Sequence, residues 1–176
     1  AYRTGRHGVG DGSEVGGSRM SELTITSEEV VSGIEDKVDL EAVELMLLAI
    51  PEEPNAGLLV RQMISFSATY DHVVDGDKFT KDDVHSMVDI LLRGLIQNPF
   101  YVRHINVFIP IITNAIHAWK YADNCPEYRI KVADGLSELG CSMLYLSGGM
   151  KRLNEWGNHW RDMVMKILTD SDKMEE

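Results

Sequence analysis

The chain has 176 residues, of which 44% are hydrophobic and 26% are charged. This is enough apolar material for one globular domain with a buried core, so the composition excludes a wholly disordered chain. The net charge of −11 opposes binding to nucleic-acid phosphates, and two cysteines are too few for a disulfide scaffold. No cofactor is predicted, and a reducing cytoplasm is the expected location.

The acidic residues are concentrated near the start of the chain. Residues 20–55 hold ten acids and one base, whereas residues 56–176 hold 16 acids and 13 bases. Such a surface attracts basic partners, with a strength that falls as the salt concentration rises. The candidate partner-binding carboxylates are Glu28, Glu29, Glu35, Asp36, Glu41 and Glu44.

The organisation of the chain is predicted from shifts in composition. Residues 1–19 are rich in glycine and poor in aliphatic side chains, which is typical of an expression leader or a flexible arm. The rest divides into an acidic helical segment over 20–55, a helical core over 56–169 and a frayed tail over 170–176.

Two helices are predicted in the acidic segment. Thr26 and Glu29 have the spacing of a capping box and predict a short helix that ends near Asp36. Asp39 can cap a second helix, in which apolar residues recur at three- and four-residue steps until Pro51 ends it.

Two further helices follow. Apolar residues at helical spacing predict the third over about 56–72. Asp75 and Gly76 then supply a turn, and Thr80 with Asp83 three residues later predicts the capped start of the fourth. The apolar residues that this fourth helix carries are Val84, Met87, Val88, Leu91, Leu92 and Leu95.

The pair Asn98-Pro99 predicts the start of a central helix over about 98–124. The asparagine side chain can accept from the free amides of the first turn, where a proline gives up no hydrogen bond. Apolar residues fall on nearly every side of this helix, so we expect neighbours all round it. Pro110 removes an amide and crowds the carbonyl four residues back, which predicts a kink.

Four polar residues gather in one stripe on the central helix: Arg103, Asn106, Asn114 and His117. Two interpretations are open. The stripe either faces solvent, as most charged side chains do, or it faces inward and lines a pocket or a subunit interface.

The C-terminal part predicts two more helices. Cys125-Pro126 is typical of a helix start, Gly148-Gly149 of a helix stop, and an amphipathic pattern continues to about residue 168. The sequence therefore predicts an all-α fold, a compact bundle of six or seven helices around the central, Pro-kinked apolar helix.

Residue types that carry chemistry are present, but not in the patterns that chemistry needs. His72, His85 and Asp89 are the best candidates for a metal site, yet there is no His-Glu-x-x-His motif and no pair of Glu-x-x-His motifs. No serine or cysteine lies in a recognisable catalytic context. An enzyme is therefore unsupported, although a helical metal-dependent hydrolase stays a third hypothesis.

The leading hypothesis is a non-enzymatic interaction or assembly protein that forms a homo-oligomer, most simply a dimer, because a central helix with apolar residues all round needs more cover than a small bundle provides. The second hypothesis is an acidic regulator that occupies a basic, nucleic-acid-binding surface of a partner, as accessory proteins of viruses and mobile elements do. Neither includes direct contact with nucleic acid or a membrane, since the apolar run of the central helix is too short and interrupted for a membrane span.

Overall fold

The computed structural model describes residues 37–76, 78–121 and 126–174. Within these ranges the protein is all-α and contains no strand, which confirms the predicted helical bundle. In chain order the elements are α1 (Lys37–Ala49), α2 (Pro54–Asp75), α3 (Lys81–Asp89), a π-helical turn (Ile90–Gly94), α4 (Leu95–Gln97), α5 (Pro99–Arg103), α6 (Ile105–Trp119) and α7 (Pro126–Met174).

The elements α3, the π turn and α4 follow one another without a break, and we call them together the 81–97 helix. Its predicted start is confirmed. The Thr80 hydroxyl accepts from the Asp83 amide at 3.1 Å, and the Asp83 carboxylate accepts from the Thr80 amide at 2.7 Å. Both free amides are satisfied, as a capping box requires.

Prolines lie at the start of three of the described helices: Pro54 in α2, Pro99 in α5 and Pro126 in α7. Pro54 lies two residues before the predicted start of α2. The chain is already helical at Lys37, so Asp39 lies inside α1 and does not cap it. The short helix predicted over 27–36 lies outside the described residues.

The central helix is interrupted, but at a different residue from the one predicted. The break lies at His104 (φ −119°, ψ 23°), between α5 and α6, whereas Pro110 stays inside α6. A proline disturbs the turn that precedes it, because its ring crowds the carbonyl four residues back. For Pro110 that carbonyl belongs to Asn106, which lies in the first turn of α6, two residues after the break at His104.

α7 is divided by Gly149, whose dihedral angles (φ 64°, ψ −162°) are almost restricted to glycine. The predicted stop at Gly148-Gly149 is thus a sharp bend between a first arm (126–148) and a second arm (150–174). The arms touch, because the Trp160 indole lies against Gly140 and its N–H donates to the Leu136 carbonyl at 3.2 Å.

One hydrophobic core joins α1, α2, α5, α6 and both arms of α7. Residues 37–50 therefore pack as part of the bundle, although they belong to the acidic segment. The largest apolar side chains that are fully buried in this core are Phe100, Phe108, Met46, Ile50, Leu59, Met143, Leu144, Val43, Val60 and Val164.

α6 is covered by α7 and α2 and is exposed on its remaining side. It packs chiefly against α7 and buries Phe108, Ile111, Ile112, Ala115, Ala118 and Trp119. On the opposite side Val107 and Ile109 are 38% and 48% exposed. The expectation of neighbours all round does not hold, because α7 and α2 cover α6 and leave the side of Val107 and Ile109 open.

Candidate interaction surface

The polar stripe faces solvent. Arg103, Asn106, Asn114 and His117 are all exposed. A guanidinium nitrogen of Arg103 donates to the Glu53 carboxylate at 2.7 Å, in a pair that is itself at the surface. The stripe is therefore not a buried polar network. Of the two interpretations, the one in which it faces solvent is correct.

Two residues of the stripe, Asn114 and His117, line a groove between α6 and the first arm of α7. Lys131, Asp134 and Glu138 line its other side, and its volume is about 370 Å³. Ligand sites are usually enclosed and mainly apolar, with a few placed polar groups. This groove is open and mainly polar, so it lacks both features of a typical small-molecule site.

The His104 ring sits where α5 meets α6. Its centroid lies 5.0 Å from that of Phe100 and 6.4 Å from that of Phe108. Burial lowers the pKa of His104, the neighbouring Arg103 lowers it further, and Glu53 raises it in opposition. The neutral imidazole is therefore the form that the fold favours.

This shift predicts a pH dependence of stability. The folded-state pKa of His104 should lie below the ordinary value of 6.5, so on acidification the unfolded chain takes up its proton first. The free energy of unfolding should then fall as the pH drops through 6.5 and level off below the folded-state pKa. NMR titration of His104, with denaturant melts of wild type and His104→Phe, measures this; a titration midpoint above 6.5 would contradict it.

The acidic candidates have different positions. Glu41, on α1, accepts from the Lys166 ammonium at 2.5 Å and links α1 to the second arm of α7. Glu44 is exposed on the same helix. The remaining candidates lie outside the described residues: Glu28, Glu29, Glu35 and Asp36.

Two further acids of residues 20–55 are also engaged inside the molecule. Glu52 forms an ion pair with Arg152, and Glu53 forms the pair with Arg103 described above. These contacts tie the loop after α1 to α5 and to the second arm of α7. Part of the acidic segment thus serves the fold itself.

The metal candidates do not form a site. Among the described residues, no group of three His, Cys, Asp or Glu side chains is placed to hold a metal ion. His72 and His85 are exposed, and Asp89 pairs with Arg93 one turn further on.

The Cys141 thiol is not activated. Burial raises its pKa more than the nearby Arg161 lowers it, so the unreactive protonated form is favoured.

The most unusual surface of the described chain is on the 81–97 helix. Val88, Leu91, Leu92 and Ile96 are 41%, 36%, 66% and 61% exposed. We call these four residues the apolar face. Scattered exposed apolar residues are ordinary, but these four are neighbours at three- and four-residue steps and make a patch.

The helix that carries the apolar face is attached to the bundle by little buried surface. No residue of α3 or of the π turn is buried, and Leu95 is the first that is. Partly buried Met87 and Ile90 complete the contact with the core. The helix therefore rests on the bundle along a narrow strip.

A π-helical turn lies in the middle of this face. The Leu95 amide donates to the Ile90 carbonyl, five residues back, and the turn contains both Leu91 and Leu92. Gly94 brings it close to α2, because a β-carbon there would lie 2.7 Å from the Gln62 side-chain nitrogen. Such turns are rare and occur frequently at functional sites.

The sequence indicates this surface through the number of apolar residues in its fourth helix. Six apolar residues were assigned to the fourth helix, but of these only Leu95 is buried. Together with Ile90 and Ile96 they cover much more than the narrow stripe that a peripheral helix needs. Sequence reasoning placed the surplus apolar surface on the central helix and missed it on this one.

No protein-family model, curated protein or solved structure matches this chain. None of the helices in the described ranges has the length and apolar content needed to cross a membrane. A function for this chain therefore has to be inferred from its own surfaces and contacts.

Proposed function

We propose that this chain is a non-enzymatic interaction protein that binds another protein through the apolar face of the 81–97 helix. The observation that carries the proposal is the exposure of Val88, Leu91, Leu92 and Ile96 side by side. Burying the exposed parts of four such side chains stabilises a complex by roughly 3 to 6 kcal/mol. That is a substantial part of the free energy of a micromolar complex.

The form of the surface supports this use. Aliphatic anchors at three- and four-residue steps are how one helix occupies the groove of a partner. The π turn at the centre of the face adds support, because such turns are rare and occur frequently at functional sites. Asp89 and Arg93 lie beside the anchors and give the contact a polar rim.

The two alternatives have less support. Of the acidic candidates that the structure describes, Glu41 already contacts Lys166 within the molecule, and only Glu44 is exposed. A metal-dependent hydrolase needs a cluster of ligands, which the described residues do not contain. The apolar face is the surface with the strongest physical reason to bind a partner.

Leu92→Glu tests the proposal, because it places a charge at the most exposed position of the apolar face. Leu48→Glu is the matched control: Leu48, on α1, is 69% exposed and Leu92 is 66% exposed. We expect wild type and Leu48→Glu to bind the same protein, and Leu92→Glu to bind it at least about tenfold more weakly, since an unpaired charge would be buried. Affinity capture from source-cell lysate, followed by titration of the captured protein, measures this.

Circular dichroism melts must first show that both variants fold like the wild type. The proposal is wrong if every protein that the wild type binds, including itself, binds Leu92→Glu equally well. It is also wrong if Leu48→Glu weakens binding as strongly as Leu92→Glu does.

A further inference from the structure

The 81–97 helix is bounded by a break in the helical backbone at each end. On its N-terminal side, α2 ends at Gly76 in a left-handed conformation (φ 77°), and Thr80 is extended (φ −99°, ψ 167°). On its C-terminal side, Asn98 is extended (φ −78°, ψ 112°) and its side chain caps α5. Neither α2 nor α5 needs this helix to complete its own end, so the helix can unfold between two fixed points.

Little of this helix is buried against the bundle. Leu95 is the one buried residue among residues 81–97, all of which the structure describes, and Met87 and Ile90 are partly buried. α6, a helix of 15 residues, buries six. Helices in proteins take most of their stability from such packing, and the π turn and Gly94 weaken this helix further. A segment with so few buried contacts is one that opens locally.

Two polar contacts of the helix are internal to it. Thr80 and Asp83 form its capping box, and Asp89 pairs with Arg93. They stabilise the helical form without attaching it to the bundle. Elsewhere an ion pair does join distant elements, because Glu41 links α1 to the second arm of α7.

We infer that the 81–97 helix is a detachable unit, which leaves α2 and unfolds between Thr80 and Asn98 while the rest of the bundle stays folded. In the closed form the helix covers α2 beside Gln62, whose side-chain nitrogen would lie 2.7 Å from a β-carbon at Gly94. In the open form this side of α2 reaches solvent, and the apolar face is no longer ordered. The opening is a property of the chain alone, so it does not rest on the proposed function.

Hydrogen exchange of the full chain, followed by NMR under native conditions, tests the inference. We expect the amides of residues 88–97 to share one opening constant, and to exchange at least about 100-fold faster than the amides of Met143 and Leu144 after correction for intrinsic rates. The amides of Thr113 and Asn114 are the control for exposure. These residues are exposed on α6, whose other side is buried, so their amides should exchange about as slowly as those of Met143 and Leu144.

Two changes in the core distinguish local from global opening. A β-carbon at Gly140 would lie 2.0 Å from Trp160, so Gly140→Ala destabilises the contact between the arms of α7. Ile112→Val removes one buried carbon from α6 and is the milder change, which decides the test if Gly140→Ala folds poorly. The two core amides should exchange about 100-fold faster in Gly140→Ala and about fivefold faster in Ile112→Val. Residues 88–97 should exchange at wild-type rates in both variants, because these changes destabilise the closed and open forms equally.

Exchange of residues 88–97 that is as slow as that of Thr113 and Asn114 overturns the inference. So does a variant that accelerates residues 88–97 as much as it accelerates the two core amides. Opening constants that differ by more than about tenfold across residues 88–97 also overturn it, since the helix would then fray from one end. Binding plays no part in these measurements, so their failure leaves the proposed function standing, and the failure of Leu92→Glu to weaken binding leaves the opening standing.

Discussion

Gly140→Ala is expected to lower the free energy of unfolding by about 3 kcal/mol and the melting temperature by roughly 6–12 °C. A β-carbon at Gly140 would lie 2.0 Å from two ring atoms of Trp160, far inside any possible contact. The indole cannot move aside easily, because it is 4% exposed and donates to the Leu136 carbonyl. The two arms of α7 must separate instead, which disturbs the core between them.

Gly157→Ala is the matched control, since it lies in the same element and makes the same gain in helix propensity. A β-carbon there would lie 3.1 Å from a terminal methyl of Leu153, which can rotate away, so stability should change by about 1 kcal/mol or less. In a Trp160→Ala background Gly140→Ala should lose most of its effect. Thermal melts of these variants measure the coupling, and equal melting temperatures for Gly140→Ala and Gly157→Ala would contradict the expectation.

The sequence predicted well what depends on a few neighbouring residues. Thr80 with Asp83, and Asn98, mark helix starts because capping satisfies amides within the next three residues, and Pro126 marks one because a proline has no amide to leave unpaired. The bend at Gly149 follows from a conformation that other residues rarely adopt. In each case the chemistry that fixes the boundary is contained in one turn of the chain.

The sequence predicted poorly which helical faces are covered. α6 was expected to have neighbours all round, yet Val107 and Ile109 are exposed, because α7 and α2 leave this side of it open. The close approach of Gly140 and Trp160 joins residues on opposite sides of a bend. Such contacts depend on where distant elements meet, and a periodic apolar pattern specifies a face without specifying its neighbour.

The candidate site shows the same division. The polar stripe on the central helix was identified correctly as a group, but only the packing of α6 determines that it faces water. Three of the four residues of the apolar face, Val88, Leu91 and Leu92, were assigned to the fourth helix, but the sequence did not predict whether they are covered. The π turn that lies within it has no sequence signature of the kind that glycine and proline give to helix ends.

Asn98→Ala has the second large expected effect, a loss of about 3 kcal/mol of stability. Asn98 is 1% exposed, and its side-chain oxygen Oδ1 accepts from the backbone amides of Phe100 at 3.0 Å and Tyr101 at 3.1 Å. Its side-chain nitrogen donates to the Asn55 carbonyl at 2.9 Å. One side chain therefore caps α5 and joins it to the start of α2, and alanine leaves all three backbone groups without this partner.

Two variants separate burial from capping. Thr80→Ala removes a cap at the exposed start of the 81–97 helix, where water replaces the lost hydrogen bonds, and should cost about 1 kcal/mol. Asn98→Ser keeps a capping oxygen but is too short to reach Asn55, so it should fall between Asn98→Ala and the wild type. Urea unfolding of the three variants measures the order.

The expected order rests on where the unpaired groups lie. Backbone groups that lose their partner cost little when solvent reaches them, and about 1 to 3 kcal/mol each when it does not. Asn98→Ala should therefore be the most destabilising of the three, even though Asn98 and Thr80 both cap helices. Equal losses for Asn98→Ala and Thr80→Ala would mean that water enters the junction of α2 and α5, and that capping alone explains the role of Asn98.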